Sequence, residues 1–301
     1  MLITNYKQIE HLFKEGIELS DFIKVKDRDL PILINFDDFY ETKSNFIERE
    51  GKSIINRNKE KNIIYSSLSK LTGYNTQKTQ KNIDILIKKT VTKEKWPKIL
   101  VIGGGKIGNG IKEIYDSKEI EVIAFDIYAS ENLTFIADAH YIPLKDESVD
   151  GVIIQAVLEH VLNPQKVVDE IYRVLKKEGI VYAETPFLQP VHEGAFDFTR
   201  FTESGHRFLF KKFELISSGS LAGPGMNLLW DIEYLTRGIF KSVMVGKLAK
   251  LAFFWVKYFD LIISEKYAID AANGIYFLGC KADGLTPLST KDILSIYKGA
   301  Y

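Results

Sequence analysis

The stretch Ile99-Leu100-Val101-Ile102-Gly103-Gly104-Gly105-Lys106-Ile107-Gly108 decides how this chain is read. Its short apolar run reads as a buried parallel strand, and the run ends in a cluster of glycines. Glycine lets a backbone turn tightly and pass close to a ligand. A helical pattern follows, and the N-terminus of such a helix offers free N–H groups. Asp126 stands 18 residues after Gly108, at the end of a second apolar run from Glu121 to Phe125. A carboxylate at about that distance is placed to accept hydrogen bonds from a ribose diol. Strand, glycine turn, helix, strand and acid in that order imply a site for a nucleoside-containing cofactor.

Outward from this stretch the hydrophobic period keeps alternating. Strands are expected at 98–102, 120–126, 133–137, 149–155, 179–185, 213–217 and 275–280, and helices at 107–117, 163–177 and 203–212. Alternating β and α segments argue for a parallel sheet covered by helices on both faces. The pattern predicts an α/β protein with a doubly wound, mostly parallel sheet of seven strands. A helical insertion, roughly 226–265, precedes the last strand. Residues 1–50 read as a small N-terminal extension in which Leu30 to Phe36 forms a short strand. Residues 51–95 read as a helical lead-in, 96–282 as the main domain and 283–301 as a C-terminal tail. Trp96-Pro97 marks the boundary, because proline disfavours helix in the residue before it.

The totals exclude several classes. The chain has 301 residues, 46% hydrophobic and 27% charged, which is ordinary for a protein with a sizeable core. Lys+Arg and Asp+Glu are both 40, so nothing in the balance points to nucleic acid. Cys280 is the only cysteine, which rules out an intrachain disulfide and a cysteine-rich zinc site. Met1 to Ser20 alternates apolar and charged residues without a signal-peptide core, and no uncharged apolar run reaches about 18 residues. These features lead to the expectation of a cytoplasmic protein.

Several blocks resemble a known family. They are Ile102-Gly103-Gly104-Gly105, Phe125-Asp126, Ala137-Asp138-Ala139 with Ile142-Pro143-Leu144, the run Asp150 to Val161, and Glu170 to Gly179. In order and with this spacing, from about Lys98 to Lys281, they resemble a class I S-adenosylmethionine-dependent methyltransferase of the type 11-like branch. The resemblance implies a Rossmann-like fold whose last strand, near 275–280, runs antiparallel beside the strand at 213–217, and S-adenosyl-L-methionine as cofactor. It also implies that Gly103, Gly104 and Gly105 pass the methionine and ribose portions, and that Asp126 takes the ribose hydroxyls. Ile127 would pack on adenine, Asp138 would accept from the adenine amino group beside Ala139, and Gln155 and Ala156 would lie near the sulfonium. One position departs from the family pattern: Val101 stands where an acidic residue is usual, two positions before the first glycine.

The segment Thr185 to Thr202 is the most distinctive. Its His followed by Asp-aromatic-x-Arg-Phe-Thr resembles methyltransferases associated with bacterial surface glycans. That resemblance implies O-methylation of a sugar or glycan hydroxyl, with His192 as general base. Asp197 and Arg200 would orient the acceptor, or pair with each other and brace the loop. His160, in Leu158-Glu159-His160, reads as structural or helix-capping. Tyr172 and Lys176 have the spacing of a dehydrogenase pair, but they follow the glycines too closely and sit within the Glu170 to Gly179 block.

Residues 236–263 place Phe240, Met244, Leu248, Leu251, Trp255, Tyr258 and Ile262 at helical spacing among lysines. They read as a helix covering the core, as a peripheral contact with the inner membrane surface, or as a homodimer face. Asp29 to Ile34 faintly resembles a zinc-ribbon-like module that precedes some of these enzymes, here without metal because its cysteines are absent. Two further readings stand beside glycan O-methylation: a quinone- or polyketide-type small-molecule methyltransferase, and a non-catalytic docking protein of the same fold.

Overall fold

The computed structural model describes residues 3–55, 71–73 and 75–300. Part of the lead-in expected at 51–95, residues 56–70 and 74, lies outside the described residues. An antiparallel hairpin of β1 (Phe22–Val25) and β2 (Arg28–Pro31) comes first, followed by the short helix α1 (Lys43–Glu48). The main sheet is built from β3 (Lys98–Ile102), β4 (Glu121–Asp126), β5 (Phe135–Ile136), β6 (Val149–Gln155), β7 (Leu175–Pro186), β8 (Glu214–Ala222) and β9 (Gly274–Cys280). Its order is β5-β4-β3-β6-β7-β9-β8, with β9 antiparallel to both of its neighbours. The protein therefore has the Rossmann-like, mostly parallel seven-stranded architecture that the alternating pattern and the resemblance imply.

Side-chain alternation explains why the sheet is covered on both faces. Leu100 and Ile102 of β3 join one core, into which α4 (Pro164–Val174) inserts Val167, Val168, Ile171 and Val174. Ile99 and Val101 point the other way, into a second core with Ile83 and Leu86 of α2 (Gln77–Val91) and Ile114 of α3 (Lys112–Asp116). Each such buried aliphatic side chain is worth about 1.5–3 kcal/mol of apolar transfer. Asn163 caps α4 by accepting from the Lys166 N–H, and Pro164 takes the first-turn position where its missing N–H costs nothing.

Several boundaries differ from expectation. The helix expected at 107–117 is confined to Lys112–Asp116, because Gly110 adopts a left-handed φ of 81° and the chain stays irregular from the glycines onward. The helix expected to run to 177 ends at Val174; Leu175 is already extended and opens β7. The helix expected at 203–212 is α5 (Glu203–Leu209). In the N-terminal extension the strand expected at 30–36 overlaps β2 only at Leu30 and Pro31. Residue Ile32 instead forms a parallel bridge to Ile136 at the sheet edge. The extension packs on the main sheet: Ile3 bridges Val122, Phe13 bridges Leu144, and Ile9 is fully buried. The single insertion helix is broken into α6 (Pro224–Phe240), α7 (Val243–Ala252), a 3-10 stretch (Phe254–Leu261) and α8 (Glu265–Ala268). The first break follows Lys241, which closes α6 in the left-handed conformation.

Two of the recognised blocks are tied together physically. Arg173 donates to Glu170, to Asp146 and to the carbonyls of Ile142 and Leu144, over 2.7–2.9 Å. Glu170 in turn accepts from the Ile142 N–H at 2.9 Å. The Glu170 to Arg173 turn thus clamps the Ile142-Pro143-Leu144 loop onto α4.

Candidate functional site

The site is built at the carboxyl ends of β3, β6 and β7. There the sheet order reverses: the chain runs from β3 outward to β4 and β5, then crosses back to β6 on the other side. In open α/β sheets this reversal opens a crevice that takes ligands. A cavity of about 360 Å³ lies in it, within the size range of small-molecule pockets. Its lining includes Gly103, Lys106, Gly108, Tyr128, Gln155, Ala156, Glu159, Glu184, Gln189 and His192.

Gly103 forms the near wall. It has a φ of 76°, and a Cβ there would meet Val157 Cγ2 at 2.3 Å, so both conformation and space require glycine. At Gly105 a Cβ would meet Asp126 Oδ2 and the Tyr128 hydroxyl within 2.7 Å. Asp126 binds the loop itself, accepting from the Gly105 N–H at 3.0 Å and the Ile127 N–H at 2.8 Å. The chain after β6 also turns sharply. Ala156 takes a left-handed φ of 54°, a conformation of the kind that clusters at functional sites.

Of the residues expected to take part, the structure gathers Gly103, Gln155, Ala156 and His192 around the one cavity. Asp126 stands behind its glycine wall. Asp138 and Ala139 lie outside this lining, at the end of β5, where Asp138 caps a 3-10 turn and accepts from the His140 N–H at 2.8 Å. Ile127 also lies outside it, whereas Tyr128 is part of it.

Three groups near the rim meet around Glu159, whose side chain is wholly buried. Its Oε1 faces His192 Nε2 at 3.5 Å and His160 Nε2 at 3.6 Å. Neither of its oxygens has a hydrogen-bond partner among the described residues. The Glu159 carboxylate holds the His192 imidazolium above its ordinary range, against the opposite pull of burial. Burial would raise the Asp197 carboxyl, but the Arg200 guanidinium and the His192 N–H hold it low. Arg200 pairs with Asp197, donating to Oδ2 at 2.6 Å, and Asp197 accepts from the His192 N–H at 2.8 Å. The backbone carbonyl of Glu159 accepts from the Phe198 N–H at 2.8 Å, which laces the 187–200 loop to the turn after β6. His160 does not cap the following helix; that cap is Asn163.

Sequence reasoning passed over Glu184. Its side chain lies at the end of β7, paired in register with Gln155, and accepts from Thr79, Tyr182 and Gln155 at 2.5 Å each. Complete burial pushes its carboxyl up. The available signal was a lone acid directly after the apolar run Ile180 to Ala183.

Residues 105–183 match the family described as "Methyltransferase domain". A search of curated proteins finds no matching relative. Among solved structures, the chain is similar to the phosphoethanolamine N-methyltransferase 2 of Haemonchus contortus in complex with S-adenosyl-L-methionine. That match has 16% identity and a TM-score of 0.47, and covers 85% of this chain and 62% of that one. The [4+2]-cyclase SpnF matches at 16% identity and a TM-score of 0.41, covering 69% and 82%. YcgJ of Bacillus subtilis matches at 17% identity and 0.41, covering 68% and 99%. Likenesses this distant carry no argument about substrate or partner.

Proposed function

We propose that this protein is an S-adenosylmethionine-dependent methyltransferase acting on a hydroxyl of a sugar or glycan. The observation that carries the reading is the cavity in which the glycine turn at the start of the methyltransferase-domain segment meets the His192 loop. The wall suits the cofactor: the left-handed Gly103, packed against Val157, brings backbone to the cavity, and Glu159 and Glu184 supply acidic surroundings for a cationic sulfonium. Bound S-adenosylmethionine would supply an electrophilic methyl group. Gly103, Gly104 and Gly105 would carry its methionine and ribose portions. Asp126 would turn to the ribose, Ile127 to the adenine face, and Asp138 with Ala139 to the adenine edge. Gln155 and Ala156 would flank the sulfonium. His192 would act on the acceptor hydroxyl, with Asp197 and Arg200 holding its loop. Such transfer needs positioning and proton removal rather than a large catalytic apparatus. We read 96–282 as the methyltransferase domain and the N-terminal hairpin region as its appended cover.

Isothermal titration with S-adenosylhomocysteine, with NAD as control, tests the cofactor class. Binding of the former alone supports the reading; binding of neither turns the chain into a docking protein of this fold. Asp126→Ala is expected to weaken S-adenosylhomocysteine by about 1.5–3 kcal/mol, the scale of hydrogen bonds to a charged group. Unchanged affinity would remove Asp126 from the ribose.

We also propose that the α6–α7 turn meets the cytoplasmic membrane surface, where a lipid-linked acceptor is presented. Ile239, Phe240 and Met244 are 65%, 62% and 72% exposed there, beside Lys241 and Arg237. An apolar tip flanked by cations suits an anionic interface. No helix of the described residues is long and apolar enough to cross a membrane. The protein is expected to float with vesicles containing anionic lipid, and Phe240→Asp with Met244→Asp to abolish flotation. A protein that stays at the bottom of the gradient, and runs as a dimer that these substitutions dissociate, assigns the tip to a homodimer face.

A further inference from the structure

We infer that Glu159, His160 and His192 form a binding site for one divalent transition-metal ion at the acceptor side of the cavity. The inference deepens the methyltransferase reading and rests on it for its chemistry, but not for its geometry.

The three residues each bring a ligand atom within 4.8 Å of the others. Zinc-class ions hold imidazole nitrogen and carboxylate oxygen at about 2.0–2.2 Å. Two ligands at that distance and a tetrahedral angle lie about 3.4 Å apart. The Glu159 Oε1 separations of 3.5 and 3.6 Å from the two Nε2 atoms are close to that edge length. Glu159 is buried with neither oxygen hydrogen-bonded among the described residues, Oε1 within ion-pair distance of the two imidazoles and Oε2 facing no cation among them, and a bound ion would satisfy both oxygens.

The surrounding contacts point both imidazoles inward. His160 Nδ1 lies 2.6 Å from the Phe196 carbonyl, an acceptor only, so Nδ1 carries the hydrogen and Nε2 is left to face Glu159. His192 Nδ1 lies 3.5 Å from both Asp197 Oδ2 and the Gln189 side-chain amide, while Nε2 faces Glu159; with Nδ1 protonated toward Asp197, Nε2 is free to ligate. A carbonyl or carboxylate behind each ligating histidine is the usual way a metal site fixes its tautomer. The Asp197–Arg200 pair thus positions a ligand rather than the acceptor. Two imidazoles and one carboxylate favour a transition ion such as Mn²⁺, Fe²⁺ or Zn²⁺ over Mg²⁺ or Ca²⁺. Three protein ligands leave positions open toward the cavity that Glu159 and His192 line.

An acceptor oxygen entering one of those positions would lose its proton to solvent water more readily, so that His192 would act on the acceptor hydroxyl through the ion and not as a direct base. Its C–O bond to the methyl group would form as the C–S bond breaks, with the electron pair left on sulfur. The substrate class that suits such a site is a hydroxyl with a second oxygen nearby, as in a vicinal diol.

The test uses untagged full-length protein stripped with a chelator, titrated with MnCl₂ and, in parallel, ZnCl₂ by calorimetry, with free Mn²⁺ counted by electron paramagnetic resonance. One ion per chain is expected. Glu159→Gln and His192→Ala should each weaken binding by about 100-fold, and Asp197→Asn by about 10-fold, while His11→Ala has no effect. Near-UV circular dichroism checks that each variant is folded. Absence of stoichiometric binding, or equal binding by folded Glu159→Gln and His192→Ala, overturns the inference and leaves an internal Glu–His ion pair. S-adenosylhomocysteine titrated into the same metal-free sample separates the two readings. Cofactor binding without metal binding refutes the metal site alone; metal binding without cofactor binding refutes the methyltransferase reading alone.

Discussion

His192→Ala is expected to lower methyl transfer by about 10²–10⁴-fold while leaving S-adenosylhomocysteine affinity within about twofold of the parent. The split follows from where His192 sits. It comes from the loop after β7, on the side of the cavity opposite the glycine turn, and it touches Glu159 and Asp197 rather than the Gly103 to Asp126 wall. A loss confined to turnover is therefore the signature of a group acting on the acceptor. Steady-state rates together with cofactor titration check it. A near-normal rate would remove His192 from the chemistry, and a parallel loss of cofactor affinity would mean that the loop supports the cofactor wall instead.

The second large effect concerns stability toward acid. His206, on α5, is fully buried against Phe201, Phe210 and Phe277, and neither ring nitrogen has a partner among the described residues. Burial lowers its pKa to about 3 from the ordinary 6.5. The unfolded chain therefore takes up a proton near pH 6.5 that the native protein refuses until about pH 3. The stability from keeping His206 neutral is complete above pH 6.5 and is lost progressively as pH falls toward 3. At about 1.4 kcal/mol per pH unit, the loss from this one group is about 2 kcal/mol at pH 5. Carboxylates such as Asp197 also lose stabilisation in acid, so the informative quantity is a difference between proteins. Urea unfolding at pH 7.5 and pH 5 should show a smaller drop for His206→Phe than for the parent, by about 2 kcal/mol. Equal drops would mean that water reaches the ring or that a neighbour shares its proton.

Much of the fold can be read from local sequence, for identifiable reasons. The run Ile99 to Ile102 is apolar on both faces because β3 is buried on both, and the glycines that end it are required by the left-handed φ of Gly103. The blocks Ile142-Pro143-Leu144 and Glu170 to Arg173 belong together in the fold because Arg173 joins them. Boundaries were less legible where local signals conflict. Lys176 to Gly179 looks like a helix end, yet pairing of Val149 with Leu175 draws those residues into β7. Likewise the apolar periodicity of 226–265 is continuous, but Lys241 closes the first helix and the chain folds back on itself.

What the sequence by itself determined is the alternating α/β architecture and the glycine turn with Asp126 behind it. Each depends on period, on glycine's freedom, or on spacing along a few tens of residues. Only the tertiary structure decided that Glu184 is buried, that the N-terminal hairpin region covers the sheet edge, and that Glu159, His160 and His192 converge. His160 and His192 stand 32 residues apart, on a turn after β6 and a loop after β7. Their meeting depends on the parallel pairing of those strands and on the Phe198 N–H bound to the Glu159 carbonyl. Contacts of that kind are selected by the packing of the whole sheet, which no local pattern of residues encodes.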